Sequence, residues 1–370
     1  MAGLYIHVPF RNRPCLYDDT PTVLTEPPHR SYVRALTTEL RALAQEYGDA
    51  EPIETLYFGG GRPSLLALDE LQTIIDTIHD AFDADQLVEA TLEVHPAECT
   101  LSYLDGVQQL GIDRLSLNIS SFYTDDLRAL DADQPSLPRE AALETALDAG
   151  FNSVTVDLYF GWDEQPEMHW EACLQKAVRI GAPHISIVEC TGDQLAEASE
   201  QRRSEQFDFA MQYLPDQGYE HYEISNFARP GHRGRHNQRH WDHSNYLGAG
   251  PSAHSFWWSD DGAQRWSNVR NLARYEALVN QRHRPIAQQT NLSPDELTME
   301  YIGLRLRTDD GLDLDRCADR YGFDLRAERS DTLARLISDD YIELRDERRV
   351  SLTNRGKRVA DSITRALLPD

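Results

Sequence analysis

The sequence predicts an α/β protein in which a partial TIM-like barrel of six βα units precedes a C-terminal winged-helix domain. Short runs of apolar and β-branched residues alternate with segments whose apolar residues recur at helical spacing. Several of the predicted strands run into glycine or proline, which is typical of strands that end in loops. After about residue 285 this alternation is replaced by four helices and a pair of short strands.

The barrel strands are predicted in order along the first half of the chain. The first strand, residues 4–8, stops at Pro9 because proline has no N–H for the next ladder hydrogen bond. Further strands are predicted at residues 53–58, 114–119, 153–159 and 185–190, with another ending at Glu93. Helices are predicted at residues 29–47, 68–82, 101–110, 124–131, 138–149, 167–180 and 201–217. We therefore assign residues 1–217 to the barrel.

The last part of the chain predicts a separate domain. Pro285 and residues 290–294 are predicted to form a linker that ends in a helix N-cap. Helices are then predicted at residues 295–306, 313–321, 326–338 and 355–367, with a wing of strands at 341–344 and 349–352. Residues 290–370 are assigned to this winged-helix domain. Residues 218–289 remain as a histidine-rich segment and linker.

Composition restricts the classes of partner. The chain of 370 residues has a formal net charge of −26 at pH 7, so its surface repels nucleic acid. The predicted recognition helix mixes acidic and basic residues, so we expect no DNA binding, although winged helices often bind DNA. No apolar run is long enough to form a transmembrane segment. The first strand begins at the N-terminus, which predicts no signal peptide, and five scattered cysteines favour a reducing cytoplasm.

The loop after the first strand carries an informative motif. Residues 5–10 read Tyr-Ile-His-Val-Pro-Phe, and Arg11, Cys15 and Asp18 follow. This stretch resembles the signature loop of radical S-adenosylmethionine (SAM) proteins, in the branch of coproporphyrinogen dehydrogenases and HemW-type heme chaperones. That family uses three cysteines of this loop to hold a [4Fe–4S] cluster. Only Cys15 is kept here, because Arg11 and Asp18 take the other two positions.

These replacements predict that the cluster is absent. A guanidinium cannot ligate iron, and a carboxylate suits magnesium or calcium better than an iron–sulfur cluster. The remaining cysteines show no metal-ligand spacing: Cys99, Cys173, Cys190 and Cys317. We therefore expect no radical catalysis and no catalytic residue. We also expect Arg11 and Asp18 to approach each other, or Arg62 to join them, in the vacated site.

A second motif, Gly-Gly-Gly-Arg-Pro-Ser at residues 59–64, follows a strand. Alone, it predicts only a tight turn. It resembles the family loop that meets the amino group of SAM, although Arg62 replaces a threonine. The resemblance implies SAM contacts at five positions: Tyr5, Gly60, Gly61, Glu93 and Asp157. Because Ser120 replaces a family glutamine, we expect SAM at most as a passive ligand. Without the resemblance, solvated or capping carboxylates would be the simpler explanation of Glu93 and Asp157.

Residues 218–254 contain six histidines and the sequence His236-Asn-Gln-Arg-His-Trp241. This sequence resembles the His-Asn-x-x-Tyr-Trp motif of the HemW branch, with His240 at the tyrosine position. Because imidazole is a common axial ligand of heme iron, His236, His240 and Trp241 are candidates for a heme site. The alternative is that these histidines pack or form hydrogen bonds within an irregular segment.

The resemblance implies a heme-binding protein or heme chaperone that delivers heme or another porphyrin to an acceptor protein. Any peripheral membrane contact would then occur through that partner. Two alternatives remain open. One is a radical SAM enzyme similar to oxygen-independent coproporphyrinogen III oxidase, which would need the cluster. The other is a non-catalytic scaffold that binds neither heme nor SAM.

Overall fold

The computed structural model describes residues 1–12, 22–24, 29–130, 138–190, 196–260 and 262–369. The predictions for Cys15 and Asp18, including the approach of Asp18 to Arg11, fall outside these ranges. No helix within the described ranges combines the length and the apolar character needed to cross a membrane.

The elements within these ranges are numbered in chain order. The strands are β1 Ala2–Val8, β2 Phe10–Arg11, β3 Val23–Leu24, β4 Ile53–Gly60, β5 Glu89–Val94, β6 Arg114–Ser120, β7 Ser153–Phe160, β8 His184–Glu189, β9 Glu220–His221, β10 Asn226–Ala228, β11 Tyr246–Ala249, β12 His254–Ser259, β13 Gly262–Asn268, β14 Ile286–Leu292, β15 Leu312–Asp313, β16 Ile342–Arg345 and β17 Arg349–Leu352. The helices are α1 Arg30–Tyr47, α2 Leu68–Ala81, α3 Leu101–Gln109, α4 Thr124–Ala129, α5 Arg139–Asp148, α6 Glu167–Ile180, α7 Glu200–Asp216, α8 Arg235–Trp241, α9 Leu272–Asn280, α10 Pro294–Leu306, α11 Leu314–Tyr321, α12 Leu325–Glu328, α13 Ser330–Ser338, α14 Asn354–Lys357 and α15 Ala360–Leu367.

The predicted partial barrel is confirmed. Within the described sheet, β1, β4, β5, β6, β7 and β8 lie side by side and each neighbouring pair is parallel. Strand β1 is almost wholly buried, as expected of a parallel strand covered on both faces. Helix α1 buries Tyr32, Leu36 and Leu40, whose spacing of four residues places them on one face. The buried strand β1 and the apolar face of α1 both contribute to the barrel core.

The sheet extends further than the sequence predicted. Strand β11 adds to β1 in parallel, and β12, β13 and β14 continue the sheet in antiparallel order. The linker predicted near residues 285–294 is therefore wrong over Ile286–Leu292, which forms the edge strand β14. Five central side chains of β14 are exposed, so no apolar alternation marks it in the sequence. The predicted helix N-cap is present at Ser293, which forms a capping box with Glu296.

The C-terminal part has the predicted winged-helix pattern. Strands β16 and β17 form the wing, and β15 pairs with β17. The helix predicted at residues 326–338 is split into α12 and α13 at Arg329, whose φ of −130° is not helical. Phe256 and Ala263 of the large sheet belong to the same apolar cluster as Tyr301 and Leu333. The outer strands of the large sheet thus pack against the C-terminal helices, in an apolar cluster separate from the barrel core.

Candidate functional site

The barrel has two ends of different chemistry. Its parallel strands bring their carboxyl ends to one edge, which we call the mouth, and their amino ends to the opposite edge, the base. Active sites of such barrels lie at the carboxyl ends of the strands. Four of the predicted SAM positions lie in or just after the carboxyl halves of β4, β5 and β7, toward the mouth: Gly60, Gly61, Glu93 and Asp157. Tyr5 lies at the middle of β1. Helix α8, which carries the predicted heme residues, lies at the base.

Glycines allow side chains to converge closely at the mouth. A Cβ atom at Gly59 would lie 2.9 Å from Glu93 Oε1 and 2.9 Å from ring atoms of both Tyr5 and Tyr57. Gly60 has φ +112°, a backbone conformation that residues with side chains rarely adopt. The glycine run therefore makes the predicted turn and also leaves room for the Glu93 carboxyl beside Tyr5.

Two carboxyl groups face the barrel interior. The Tyr57 hydroxyl donates to Glu93 Oε1 at 2.9 Å, and the Ser116 hydroxyl donates to Asp157 Oδ2 at 3.0 Å. Burial, together with the nearby Asp157 carboxylate, raises the pKa of Glu93 to about 8. Burial also raises the pKa of Asp157 to about 6. These are not solvated carboxylates, and at neutral pH Glu93 is mostly protonated.

Replacing Glu93 with glutamine is expected to flatten the dependence of stability on pH. The folded protein holds the Glu93 proton up to about pH 8, whereas this group ordinarily has a pKa of 4.5. The native state therefore binds more protons between these values, and the free energy of unfolding falls as pH rises. Relative to wild type, Glu93→Gln should gain roughly 1–3 kcal/mol between about pH 5 and pH 8 in urea unfolding. Because the pKa of Asp157 is also raised, part of the pH dependence of the free energy of unfolding should remain in this variant.

The matched control is Glu144→Gln, because Glu144 is exposed on α5. Its stability should follow the wild-type pH dependence throughout. A Glu93→Gln curve that runs parallel to wild type over the same pH range would contradict the raised pKa.

Arginines surround the carboxyl groups at the mouth. Arg62 forms a bidentate ion pair with Glu98, with Nε to Oε2 at 2.8 Å and Nη2 to Oε1 at 2.6 Å. Arg139 donates to the Asn118 carbonyl oxygen at 2.7 Å. Burial, with the positive charges of Arg62, Arg139 and Arg11, lowers the pKa of His95 to about 2. The mouth thus brings the charges of three arginines close to His95.

Ser120, which stands in place of a family glutamine, also lies at the mouth. It is buried at the carboxyl end of β6 with φ +59°, which is unusual for a residue with a side chain. The pairing of β6 with β7 shifts register next to it. Its hydroxyl donates to Asn118 Oδ1 at 2.6 Å, so its side chain supports the local backbone.

Helix α8 closes the base of the barrel. His236 is only 2% exposed, and its Nδ1 atom lies 2.9 Å from the Thr55 hydroxyl oxygen. The backbone N–H groups of Arg235 and His236 both donate to the Glu89 carboxylate, at 2.9 and 2.8 Å. The His236 ring stacks on Tyr57 with centroids 5.2 Å apart. This segment is therefore helical, and its His236 ring reaches the barrel interior, where its centroid lies 6.4 Å from that of Tyr5, one of the predicted SAM positions.

The histidines of residues 218–254 do not gather around one point. His240 packs its ring edge against His236, but the others have separate partners: His221 with Lys357, His232 with Ser153, and His243 with Tyr321. The four described cysteines are all buried: Cys99, Cys173, Cys190 and Cys317. Within the described ranges, no group of three or more His, Cys, Asp or Glu side chains is placed to hold a metal ion.

A polar cavity of about 220 Å³ occupies the barrel interior between the two ends. Its lining runs from Glu93 and Asp157 to Asn237 on α8. Two lining atoms, His184 Nδ1 and Thr91 Oγ1, are buried without a hydrogen-bond partner among the described residues. Such atoms indicate a space that holds water or a small polar ligand.

Most of the residues that line this cavity were not predicted, although the sequence contains a signal for them. Polar residues alternate with apolar ones in four strands that otherwise look like buried parallel strands: Glu89, Thr91 and Glu93; Arg114 and Ser116; Thr155 and Asp157; His184 and Ser186. A period of two places such residues on one face of a strand, here the barrel interior. The alternation predicts a polar barrel interior.

Comparisons with known proteins agree with this architecture. A profile of the HemN C-terminal domain matches residues 292–359. The solved structure of coproporphyrinogen III oxidase (HemN) from Escherichia coli, a radical SAM enzyme, superposes with a TM-score of 0.84 at 22% identity. The superposition covers 99% of this chain and 89% of that one, which shows the shared fold.

Two bacterial proteins that match over nearly their full length are both named heme chaperone HemW. The chain is 30% identical to the heme chaperone HemW of Mycobacterium tuberculosis, over 99% of this chain and 94% of that protein. It is 26% identical to the heme chaperone HemW of Bacillus subtilis, over 100% of this chain and 99% of that protein. From its sequence and its fold, the chain belongs to the HemW heme-chaperone family.

Proposed function

We propose that this protein binds heme and delivers it to an acceptor protein without radical chemistry of its own. The observation that carries the proposal is the full-length similarity to proteins named heme chaperones. Arg11 explains why the chemistry would differ from that of a radical SAM enzyme. Its positive charge acts on Glu93 and His95 at the mouth, where the resemblance implies the first cluster cysteine.

The residues of the mouth do not fit a [4Fe–4S] cluster. Arginine offers five N–H donors and no electron pair for iron. The four described cysteines are buried, and burial raises the pKa of Cys99 and Cys317 to about 12, so both stay protonated thiols. A thiol in that state is a poor metal ligand. We therefore assign no step of the function to a cluster.

The mouth remains suited to a cationic organic ligand. Of the predicted SAM positions Tyr5, Gly60, Gly61, Glu93 and Asp157, the last two line the polar cavity, and their carboxyl groups would pair with positive charge at this edge of it. We propose that SAM, if bound, occupies this edge passively. A cation there would favour the charged carboxylates and lower the raised pKa of Glu93.

The predicted heme residues differ in accessibility. His240 and Trp241 on α8 are partly exposed, whereas His236 is enclosed by Thr55 and Tyr57. An iron porphyrin would reach His236 only after α8 moves away from the base. We therefore propose that, on this helix, His240 is the reachable imidazole and Trp241 its apolar neighbour.

Anaerobically purified protein provides the test. Titration with hemin should shift the Soret band up to a stoichiometric end point, while iron and sulfide before titration stay far below the four of each that a cluster contains. If the Soret band does not shift, heme binding is refuted and the non-catalytic scaffold becomes the favoured function. Four irons and four sulfides per chain, with 5′-deoxyadenosine formed from SAM, would favour the coproporphyrinogen oxidase-like enzyme instead.

A further inference from the structure

Lysine is rare in this chain. Only two of its 36 strongly basic side chains are lysines, Lys176 and Lys357, and all the others are arginines. Arginine stays protonated in proteins, whereas a lysine amine can lose its proton and act as a nucleophile. The functions described above use neither lysine.

Lys357 lies at the junction between the barrel and the C-terminal domain. It belongs to α14 and contacts the segment that contains β9 and β10. At this junction the Asp309 N–H donates to the Tyr222 carbonyl oxygen at 2.9 Å, and Glu223 forms a β-bridge with Thr308. Lys357 itself remains partly exposed, so the junction does not seal it from solvent.

The hydrogen-bond partner of the Lys357 amine is a neutral imidazole. Lys357 Nζ lies 2.9 Å from His221 Nδ1. The other ring nitrogen, Nε2, lies 3.3 Å from the Ile224 carbonyl oxygen, which can only accept, so Nε2 carries the proton and Nδ1 presents a lone pair. Burial, with the positive charge of Lys357, lowers the pKa of His221 to about 3. The imidazole therefore orients the amine without supplying a negative charge.

The acidic groups that act on this amine are paired with another cation or only partly charged. Asp309 and Glu343 both form ion pairs with Arg345, at 3.3 and 2.5 Å. Burial raises the pKa of Glu223 to about 7, so this carboxyl group is partly protonated at neutral pH. Burial, with the positive charge of Arg345, lowers the pKa of Lys357 to about 8, although the carboxylates act in the opposite direction. At neutral pH roughly a tenth of such an amine is uncharged, against less than about one in a thousand for an ordinary lysine.

Lys176 is also partly exposed, but its surroundings are different. Its ammonium group pairs with Glu140 and lies 5.1 Å from the ring centroid of Tyr123 and 5.4 Å from that of Phe122. A carboxylate and the faces of aromatic rings both engage the positive charge of the side chain. Lys176 is therefore an internal comparison for Lys357 within the same molecule.

We propose that Lys357 is a site of covalent modification, at which the side-chain amine held by His221 accepts a small acyl group from an acyl phosphate or a thioester. The amine nitrogen forms a bond to the acyl carbon, while the bond from that carbon to the phosphate oxygen or to the sulfur breaks. Phosphate or thiolate leaves with the bonding electron pair, and one amine proton passes to solvent. Because the resulting amide is uncharged, acylation removes from the junction a positive charge that acts on Glu223.

The test incubates the folded full-length protein with acetyl phosphate or with acetyl-CoA and follows acetylation of both lysines by mass spectrometry. At neutral pH Lys357 should react about tenfold or more faster than Lys176, and its rate should level off above about pH 8, where the amine is mostly uncharged. In concentrated urea the two rates should become similar, because the surroundings of both side chains are lost. Lys357→Arg and Lys176→Arg each keep the positive charge and assign the two signals.

A second variant tests whether the surroundings of Lys357 control its reactivity. Arg345→Gln removes a positive charge and releases Asp309 and Glu343 to act on the amine, so it should slow acetylation of Lys357 several-fold at neutral pH. Arg335→Gln, at an exposed arginine of α13, is the matched control and should leave the rate unchanged.

The two donors distinguish the source of the acyl group. Labelling of Lys357 by acetyl phosphate alone assigns an acyl phosphate, and labelling by acetyl-CoA alone assigns a thioester. The proposal is refuted if Lys357 reacts no faster than Lys176 with either donor, or if the difference between them persists in urea. Equal rates in Arg345→Gln and wild type would also refute it, because the charges around the amine would then have no effect on its reactivity.

Discussion

Replacing Glu39 with alanine is expected to destabilise the protein by about 3 kcal/mol or more. Its carboxyl group is buried and ties four parts of the fold together: α1 itself, the turn at Gly250, the end of β13 at Asn268 and helix α9 at Tyr275. Alanine would leave the Gly250 N–H and the Tyr275 hydroxyl without acceptors, and Asn268 Nδ2 with only the Gly250 carbonyl oxygen. Each unsatisfied buried donor costs roughly 1–3 kcal/mol. Urea unfolding at neutral pH measures the loss.

Two comparisons make this result specific. Glu39→Gln keeps one acceptor oxygen but turns the other side-chain atom into a donor, so its loss should lie between alanine and wild type. Gln45→Ala changes an exposed residue of the same helix and should stay within about 0.5 kcal/mol of wild type. Equal stabilities for Glu39→Ala and Gln45→Ala would show that the hydrogen bonds of Glu39 contribute nothing to stability.

Replacing Arg62 with alanine should cost about 3 kcal/mol, because it breaks a largely buried ion pair on one side only. Arg62 is 8% exposed and Glu98 is 22% exposed, so water can only partly solvate the carboxylate that remains. The Ser64 hydroxyl also donates to Glu98, at 3.1 Å, and would lose part of its ordered acceptor. Unfolding in urea again gives the loss.

A double-mutant cycle tests whether the pair itself is responsible. Arg62→Ala with Glu98→Ala should cost less than the two single losses added together, because no unpaired charge is left. The exposed pair of Arg128 and Asp125, with side chains 66% and 79% exposed, is the control. Arg128→Ala should cost less than about 1 kcal/mol. Additive losses at Arg62 and Glu98 would mean that the ion pair is not coupled.

Local patterns were enough to predict most of the barrel. The apolar residues of α1 fall on one helical face, and β1 is a short apolar run that stops at proline, so each element could be read from its own residues. The same holds for the wing strands β16 and β17. Strand β14 escaped prediction because its central side chains are exposed and its pairing with β13 is a contact across the sheet.

The candidate site was predictable only in part. The resemblance named Glu93 and Asp157, but it did not reveal that burial holds Glu93 mostly protonated at neutral pH. The heme motif was read as one unit, yet His236 is enclosed at the base of the barrel. Arg62, expected beside the other replaced positions, forms an ion pair with Glu98, which is 36 residues away in the chain.

By itself, the sequence determined the order of the barrel strands and helices, the family resemblance and the exchange of thiolate for guanidinium at Arg11. These follow from residue type and from neighbours within a few positions. Only the tertiary structure decided that α8 closes the base of the barrel with His236 against Tyr57, and that Glu39 ties α1 to α9. Such relations depend on desolvation and contact between distant residues, which no local pattern encodes.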